Sequence, residues 1–365
     1  MKIKVTKTDL LTGVNTVQRA VSAKNTLPIL QGIKLRAENN TLCFEATDLE
    51  LGIRSSFDAE IIEEGTIVLP SRLFSEIVRK LPDSDVVLES TDHITNINYS
   101  GSSFTINGYD PEEFPEIGDV PVEDEIKLPA DLFKNMIRQT VFACAAEETR
   151  PVFTGLLLHL EEDNLALVGT DTHRLAYRTA KIPGNKQKFK GIVPAKSMQE
   201  IYRLLQDDHD LTIYCSKSRV FFNFGSIQLQ ARLIDGQFPN YKQVIPQKCN
   251  TKLLINTKNF TDMVERASLL SKDNLIKTGS VRINVENSVL KINQFSEAGK
   301  INEEMKINQD GEDVSISFNS KYVLDLLKII DSENILMETS GAVNPCIFRP
   351  ENDQDYLCLV LPLRN

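Results

Sequence analysis

The chain has 365 residues, 41% of them apolar, with 51 acidic against 41 basic side chains and a net charge of −10. That length and apolar content suffice for two or three packed domains. The acidic balance excludes a protein that coats nucleic acid by bulk attraction, so a polyanion can be met only by a local group of cations.

Cys43, Cys144, Cys215, Cys249, Cys346 and Cys358 are scattered without a CxxC pair, which predicts free thiols in a reducing compartment rather than a disulfide framework. The start MKIKVTKTDLL is charged and alternating, unlike a secretory signal, and no apolar run reaches membrane-spanning length. A soluble, cytoplasmic protein is expected.

In chain order, KIKVTKTDLLTGV (2–14) predicts a short strand running into a helix, and the same unit returns as IKLPADLFKNMI (126–137) and KLLINTKNFTDMV (252–264). Thr8, Pro129 or Thr257 stands near the N-cap or in the first turn. Segments such as TLCFEATDLEL, NLALVGTDTHRLAY, RVFFNFGSIQLQARLI and SVLKINQFS alternate or run apolar over strand lengths.

A second helix recurs at offsets of 124 and 125, as RLFSEIVRKL (72–81), KSMQEIYRLL (196–205) and KYVLDLLKII (321–330). ATDLELGIRS (46–55) matches GTDTHRLAYR (169–178), and EFPEI (113–117) matches QFPNY (237–241). FSEAGKINEE (295–304) takes the corresponding place in the last copy. Three tandem copies of one α+β domain follow, two helices packed on antiparallel sheet, over 1–124, 125–250 and 251–365.

Each copy of the second helix carries two cations seven residues apart: Arg72 and Arg79, Lys196 and Arg203, Lys321 and Lys328. Two helical turns apart, each pair shares a face. One such stripe is an ordinary solvated face. Three in register point to one repeated polyanionic partner. Arg19, Lys134, Arg138, Lys258 and Arg266 on the other helix set are further candidates.

Catalytic chemistry finds no support. The four histidines are isolated, and zinc spacings, P-loop, GxGxxG and GxSxG are all missing, so neither cofactor nor metal is expected. TDTHRL puts an Asp, a His and an Arg together and is the strongest enzyme candidate. The equivalent TDLELG keeps only the Thr-Asp pair, so Asp48 and Asp171 are expected to fix a turn instead.

With TLPIL (26–30), TDTHRLA (170–176), IDGQFPNY (234–241), FNSKYVLDLL (318–327) and LVLPLRN (359–365), the chain resembles the bacterial sliding clamps, the DNA polymerase III beta subunits, over its whole length. The resemblance implies a DNA-clamp fold and a head-to-tail homodimer ring of six domains threaded by double-stranded DNA. The implied role is that of a non-catalytic processivity factor, cytoplasmic and nucleoid-associated, which tethers the replicative polymerase. Helix sizes agree with a dimer. Six helices side by side at about 8–10 Å leave almost no hole, whereas twelve leave about 20–28 Å for a duplex roughly 20 Å across.

The same resemblance implies site residues. Nearest DNA it puts Lys24, Arg72 and the loop Glu147, Pro151 and Val152, although an acid at Glu147 and two residues without donors depart from the family pattern. Its partners are the polymerase alpha subunit, the clamp loader, other DNA polymerases and mismatch-repair proteins, bound through short apolar peptides. Their pocket is placed between the second and third domains, formed by Phe153, Thr170, Thr172, His173, Arg174, Leu175, Pro239, Val244, Leu275, Asn319, Tyr322, Val343, Val360, Leu361, Pro362, Leu363 and Arg364. Arg174 and Arg364 are expected to fix the ends of the peptide. Thr172 and Gln243 stand where the family often has glycine and arginine. Ring closure is assigned to Phe104 and Ile106, near Arg72 and Leu73, against Leu269 and Leu270 with Glu297, Glu303 and Glu304.

Overall fold

The computed structural model describes residues 1–22, 27–120, 125–147, 149–206, 210–271, 279–296 and 299–363. Lys24, Leu275, Glu297 and Arg364 lie outside them. Seven α-helices are described: α1 (Lys7–Val17), α2 (Ser71–Lys80), α3 (Ala130–Thr140), α4 (Ala195–Leu204), α5 (Tyr241–Val244), α6 (Thr257–Ser271) and α7 (Ser320–Leu327). None is long and apolar enough to cross a membrane.

Local signals account for where the helices start. Thr6 rather than Thr8 caps α1, its hydroxyl accepting from the Asp9 N–H, and the Asn256 side chain accepts from the Asn259 N–H at the head of α6. Asn319 does the same for α7 through the Lys321 N–H. In α2 the buried positions Phe74, Ile77 and Val78 recur at helical spacing, while Arg72, Glu76 and Arg79 face out. α7 repeats this with Val323, Leu326 and Leu327 inward and Lys321 and Lys328 outward. Burial of each of these large side chains contributes about 1.5–3 kcal/mol.

The chain folds as two compact units, one of Met1–Lys134 with Gln199–Leu233, the other of Asn135–Met198 with Ile234–Asn365. In the first, a five-stranded antiparallel sheet runs Glu60–Glu63, Lys2–Thr6, Asp85–Thr91, Ile94–Tyr99, Ser102–Asn107. Its eight-stranded neighbour runs Glu125–Pro129, Asp210–Cys215, Arg219–Phe224, Ile227–Arg232, Leu51–Asp58, Thr41–Thr47, Gly32–Glu38, Gly65–Pro70. α1 lies on Thr41–Thr47 and Leu51–Asp58, and Gly13 permits the approach, since a Cβ there would meet the Phe44 ring at 2.5 Å.

In the second unit a nine-stranded sheet runs Lys188–Pro194, Gly155–Glu161, Asn164–Thr170, Arg174–Lys181, Tyr356–Val360, Cys346–Pro350, Asn334–Thr339, Thr251–Asn256, Asn308–Asp310. The four-stranded sheet runs Gly299–Lys306, Val289–Ser296, Ser280–Glu286, Val314–Asn319, under α6.

Repeats far apart in sequence thus share sheets. Leu51–Asp58 pairs with Ile227–Arg232, Leu51 opposite Ala231, and Arg174–Lys181 pairs with Tyr356–Val360, Arg174 opposite Val360. All six cysteines are free thiols, and burial pushes Cys144 and Cys358 up to about 12.

Candidate functional site: an apolar pocket and outward-facing cations

The pocket in the second unit begins at a turn. The Asp171 carboxylate accepts from the backbone N–H groups of His173 (2.9 Å) and Arg174 (3.0 Å), while the Thr170 hydroxyl accepts from the Thr172 N–H and donates to the Arg174 carbonyl. Asp48 and Thr47 make the same set with Leu49, Glu50 and Leu51 in the first unit. Thr172 and Leu49 both sit at φ 78°, a left-handed conformation that costs a side chain with a Cβ about 1–2 kcal/mol. The Thr-Asp pair is a turn device, as its repetition predicted.

Above this turn lies a cavity of about 290 Å³ lined by Phe153, Thr170, Thr172, Arg174, Leu175, Phe238, Pro239, Asn240, Tyr241, Val244, Leu359 and Leu361. Eight of the residues expected from the sequence are among these twelve. Phe238, Asn240, Tyr241 and Leu359 were missed, although the first three belong to the QFPNY repeat. Phe153 and Phe238 meet edge to face at 6.4 Å, and Tyr241 is held by the Tyr177 ring at 5.5 Å and by His159 Nδ1 at 2.9 Å from its hydroxyl. Burial, then Tyr177 and Glu161, raises the Tyr241 phenol. Burial, then Lys242, lowers the His159 imidazole.

Several expected roles are corrected. Arg174 is buried and engaged: its Nε donates to Asp171 (3.0 Å), one terminal nitrogen to Asp325 (2.6 Å), the other to the Phe142 carbonyl (2.7 Å), and its plane lies 4.6 Å from the Tyr322 centroid. These bonds use three of its five N–H donors and fix the side chain as part of the pocket wall. Val360 turns into the core with Tyr356 and Cys358 because successive strand residues point to opposite faces, and its neighbour Leu359 takes the pocket side. Asn319 is buried and used as a helix cap. His173 stacks on Tyr322 at 6.3 Å outside the cavity. Val343 and Leu363 are exposed and Pro362 half-buried, all three outside the cavity lining.

Of the cations, Arg72, Arg79, Lys196, Arg203, Lys321 and Lys328 all face solvent. Arg72 pairs loosely with Glu76 at 3.7 Å, Lys321 with Asp325 at 3.5 Å and Lys328 with Glu265 at 3.9 Å. The buried Glu200 bridges Arg19 and Arg203. Arg138 and Arg266 depart from the expected free phosphate contacts. Arg138 is tied to Asp331 and the Ile329 carbonyl, and Arg266 is forked onto Glu303, whose hydrogen bond holds that carboxyl below its usual range. Lys134 lies over the Tyr202 ring at 5.9 Å. Glu147 and Pro151 are exposed, whereas Val152 packs against the apolar cluster under the pocket.

Among the expected closure residues, Phe104 is 43% exposed and stacks on Tyr99 at 5.8 Å, and Leu269 is 65% exposed. Leu270 is half-buried. Ile106, on the face of Phe104 but opposite the fully buried Thr95, is enclosed by its own unit at 5% exposure and leaves that set. Phe295, 77% exposed, is an apolar surface residue that the sequence reading did not single out.

Three family models match in order: the DNA polymerase III beta subunit N-terminal domain over residues 1–118, its central domain over 127–240 and its C-terminal domain over 242–364. The Bacillus subtilis beta sliding clamp is 36% identical, with all of both chains covered, and that of Staphylococcus aureus 33%, with all of this chain and 99% of the relative covered. Among solved structures, the Bacillus subtilis DNA polymerase sliding clamp superposes with a TM-score of 0.96 at 34% identity over all of this chain and 99% of that one. The DNA polymerase III beta chain of Streptococcus pneumoniae superposes with a TM-score of 0.95 at 29% identity and complete coverage of both. Matched from end to end in sequence and in structure, the chain belongs to the DNA polymerase III beta subunit family, the beta sliding clamps.

Proposed function

We propose that two copies of this chain close head to tail around duplex DNA and act as a sliding clamp, holding the replicative polymerase and other replication and repair proteins on the template. The observation that carries this reading is the thrice-repeated helix with paired outward cations, in a chain whose net charge is −10. A few cations directed at phosphates, on an otherwise acidic protein, give contact that is weak, blind to sequence and confined to one surface. Retention is then topological: the DNA leaves when the ring opens, not when a bond breaks.

In this reading the domains are 1–124, 125–250 and 251–365. Arg72, Arg79, Lys196, Arg203, Lys321 and Lys328 face the DNA, and Lys24, outside the described residues, joins them by family resemblance. Phe104 of one copy meets Leu269 of the other, a heterologous contact that closes when used twice. The cavity takes the apolar side chains of an extended partner peptide, and backbone carbonyl groups of the Thr172 turn and of the chain after Val360 accept hydrogen bonds that orient it. The chain itself is non-catalytic and cytoplasmic.

The test is retention on DNA after loading by a clamp loader and ATP, comparing a nicked circle with the same molecule linearised. Long residence on the circle with rapid loss from free ends is expected. Equal loss from both, with a steep salt dependence, would mean ordinary electrostatic binding.

A further inference from the structure

Residues 172–199 contain seven cations and no acid, in a chain that is acidic as a whole. Arg174 and Arg178 are consumed by ion pairs with Asp171, Asp325 and Asp353. Lys181, Lys186, Lys188 and Lys190 are exposed, and among the described residues none of the four is ion-paired.

Strand register puts three of them on one sheet face. Opposed residues of an antiparallel pair point the same way. One row across the sheet reads Lys188, Glu161, Asn164, Lys181, and the next reads Lys190, His159, Ala166, Thr179. A third row, Ile192, Leu157, Val168 and Tyr177, belongs to the same face. There the face passes beneath the segment Phe238–Ile245, whose Phe238, Tyr241 and Val244 wall the pocket.

Two contacts tie the lysine rows to that wall: His159 to the Tyr241 hydroxyl, and Lys242 to Glu161 at 3.3 Å. Of the acids nearby, Glu161 is neutralised by Lys242, the Asp163 carboxylate accepts from the Gly184 N–H and the Asp355 carboxylate from the Thr179 hydroxyl in the second row, while Glu162 stands at a turn beyond the rows. Along Arg174–Lys181, six residues separate pocket-lining Leu175 from Lys181, or about 20 Å of extended chain.

We propose that Lys181, Lys188 and Lys190 form a second docking element for partner peptides, one that receives acidic residues about four to eight positions from the apolar side chains seated in the pocket. The occupant is an acidic extension of the same peptide, because the face is continuous with the pocket and its charge is opposite to that of the surrounding protein. The proposal rests on the peptide-binding reading of the pocket. Lysines on an outer strand such as Lys188–Pro194 also discourage edge-to-edge pairing, which alone would leave peptide binding untouched.

The experiment uses the full-length protein and fluorescence anisotropy. The probes are a labelled synthetic peptide with two adjacent large apolar residues, and the same peptide carrying four glutamates six residues from them at either end. At about 50 mM salt one acidic tail should tighten binding about threefold to thirtyfold, as expected of a few exposed ion pairs. The gain should vanish near 0.5 M, where screening acts within a few ångströms. The variant Lys181→Ser/Lys188→Ser/Lys190→Ser should bind tailed and untailed peptides alike, with the untailed affinity unchanged as proof of an intact pocket. The proposal is overturned if neither tail adds affinity to the parent protein, or if the gain survives in the variant. It is also overturned if the variant loses only binding to a labelled 20-base-pair duplex, which would make the band a nucleic-acid contact. Failure of the untailed peptide to bind the parent protein would instead remove the pocket reading on which the proposal stands.

Discussion

Asp48 and Asp171 make the same two bonds to backbone N–H groups, and Asp171 also holds the buried Arg174. Loss of the capping bonds in Asp48→Ala should cost about 1 kcal/mol. Asp171→Ala leaves Arg174 short of one of its two carboxylates and should cost on the order of 3 kcal/mol, with weaker peptide binding. Urea midpoints of the two variants decide it, and equal losses would sink the distinction. Thr172→Gly should raise the midpoint, since glycine adopts φ 78° freely. The Thr-Asp turn was legible because it is repeated. The left-handed residue inside it was not, because neither Thr nor Leu announces that conformation.

A pH effect also belongs to single residues. The folded-state imidazole of His159 titrates below its ordinary 6.5 because burial, and then Lys242, oppose its charge. Below pH 6.5 the unfolded chain therefore binds a proton that the folded chain resists, and stability falls as pH drops from about 6.5 toward the lowered value. His159→Gln, which can still bond the Tyr241 hydroxyl, should flatten that part of the stability profile while leaving pH 8 little changed. Thermal melts at pH 8 and pH 5.5 check this; an unaltered slope would show that His159 is not the group responsible.

At the scale of elements, periodicity identified the second helix of each repeat and its outward cations, because α2, α4 and α7 obey one amphipathic pattern. It could not foresee which cations are neutralised. The partners of Arg138 and Arg266 lie 193 and 37 residues away, and no local spacing encodes them. The same limit hid Tyr241, whose partner His159 is 82 residues upstream. The family resemblance named Phe104 and Ile106 together but said nothing of how far each stands from the margin of its sheet face. Among the described residues Arg79 makes no ion pair, whereas Arg203 shares Glu200 with Arg19. Arg79→Ala should thus weaken binding to short duplexes and lower the salt slope by about one. Arg138→Ala should change the slope little and stability more. Anisotropy titrations over a range of salt concentrations separate the two.

For the whole molecule, a heterologous closure predicts that one change on either side suffices. Phe104→Glu alone and Leu269→Glu alone should each convert the dimer to monomer in sedimentation, because each contact is used twice. Dimers persisting in both variants would move the interface elsewhere. The threefold repetition of the chain was plain from its echoes, whereas the sharing of sheets between repeats was not, since hydrogen bonding of one backbone to another leaves no mark on side-chain pattern.

That sharing sets a schedule for synthesis. The bonding edge of Leu51–Asp58 is complete only when Ile227–Arg232 arrives, about 170 residues later, or roughly 10–35 s at ordinary elongation rates. Arg174–Lys181 waits a similar interval for Tyr356–Val360. Throughout translation the nascent chain therefore carries an open strand looking for a partner, and two ribosomes close together on one message would present the same open strand to each other.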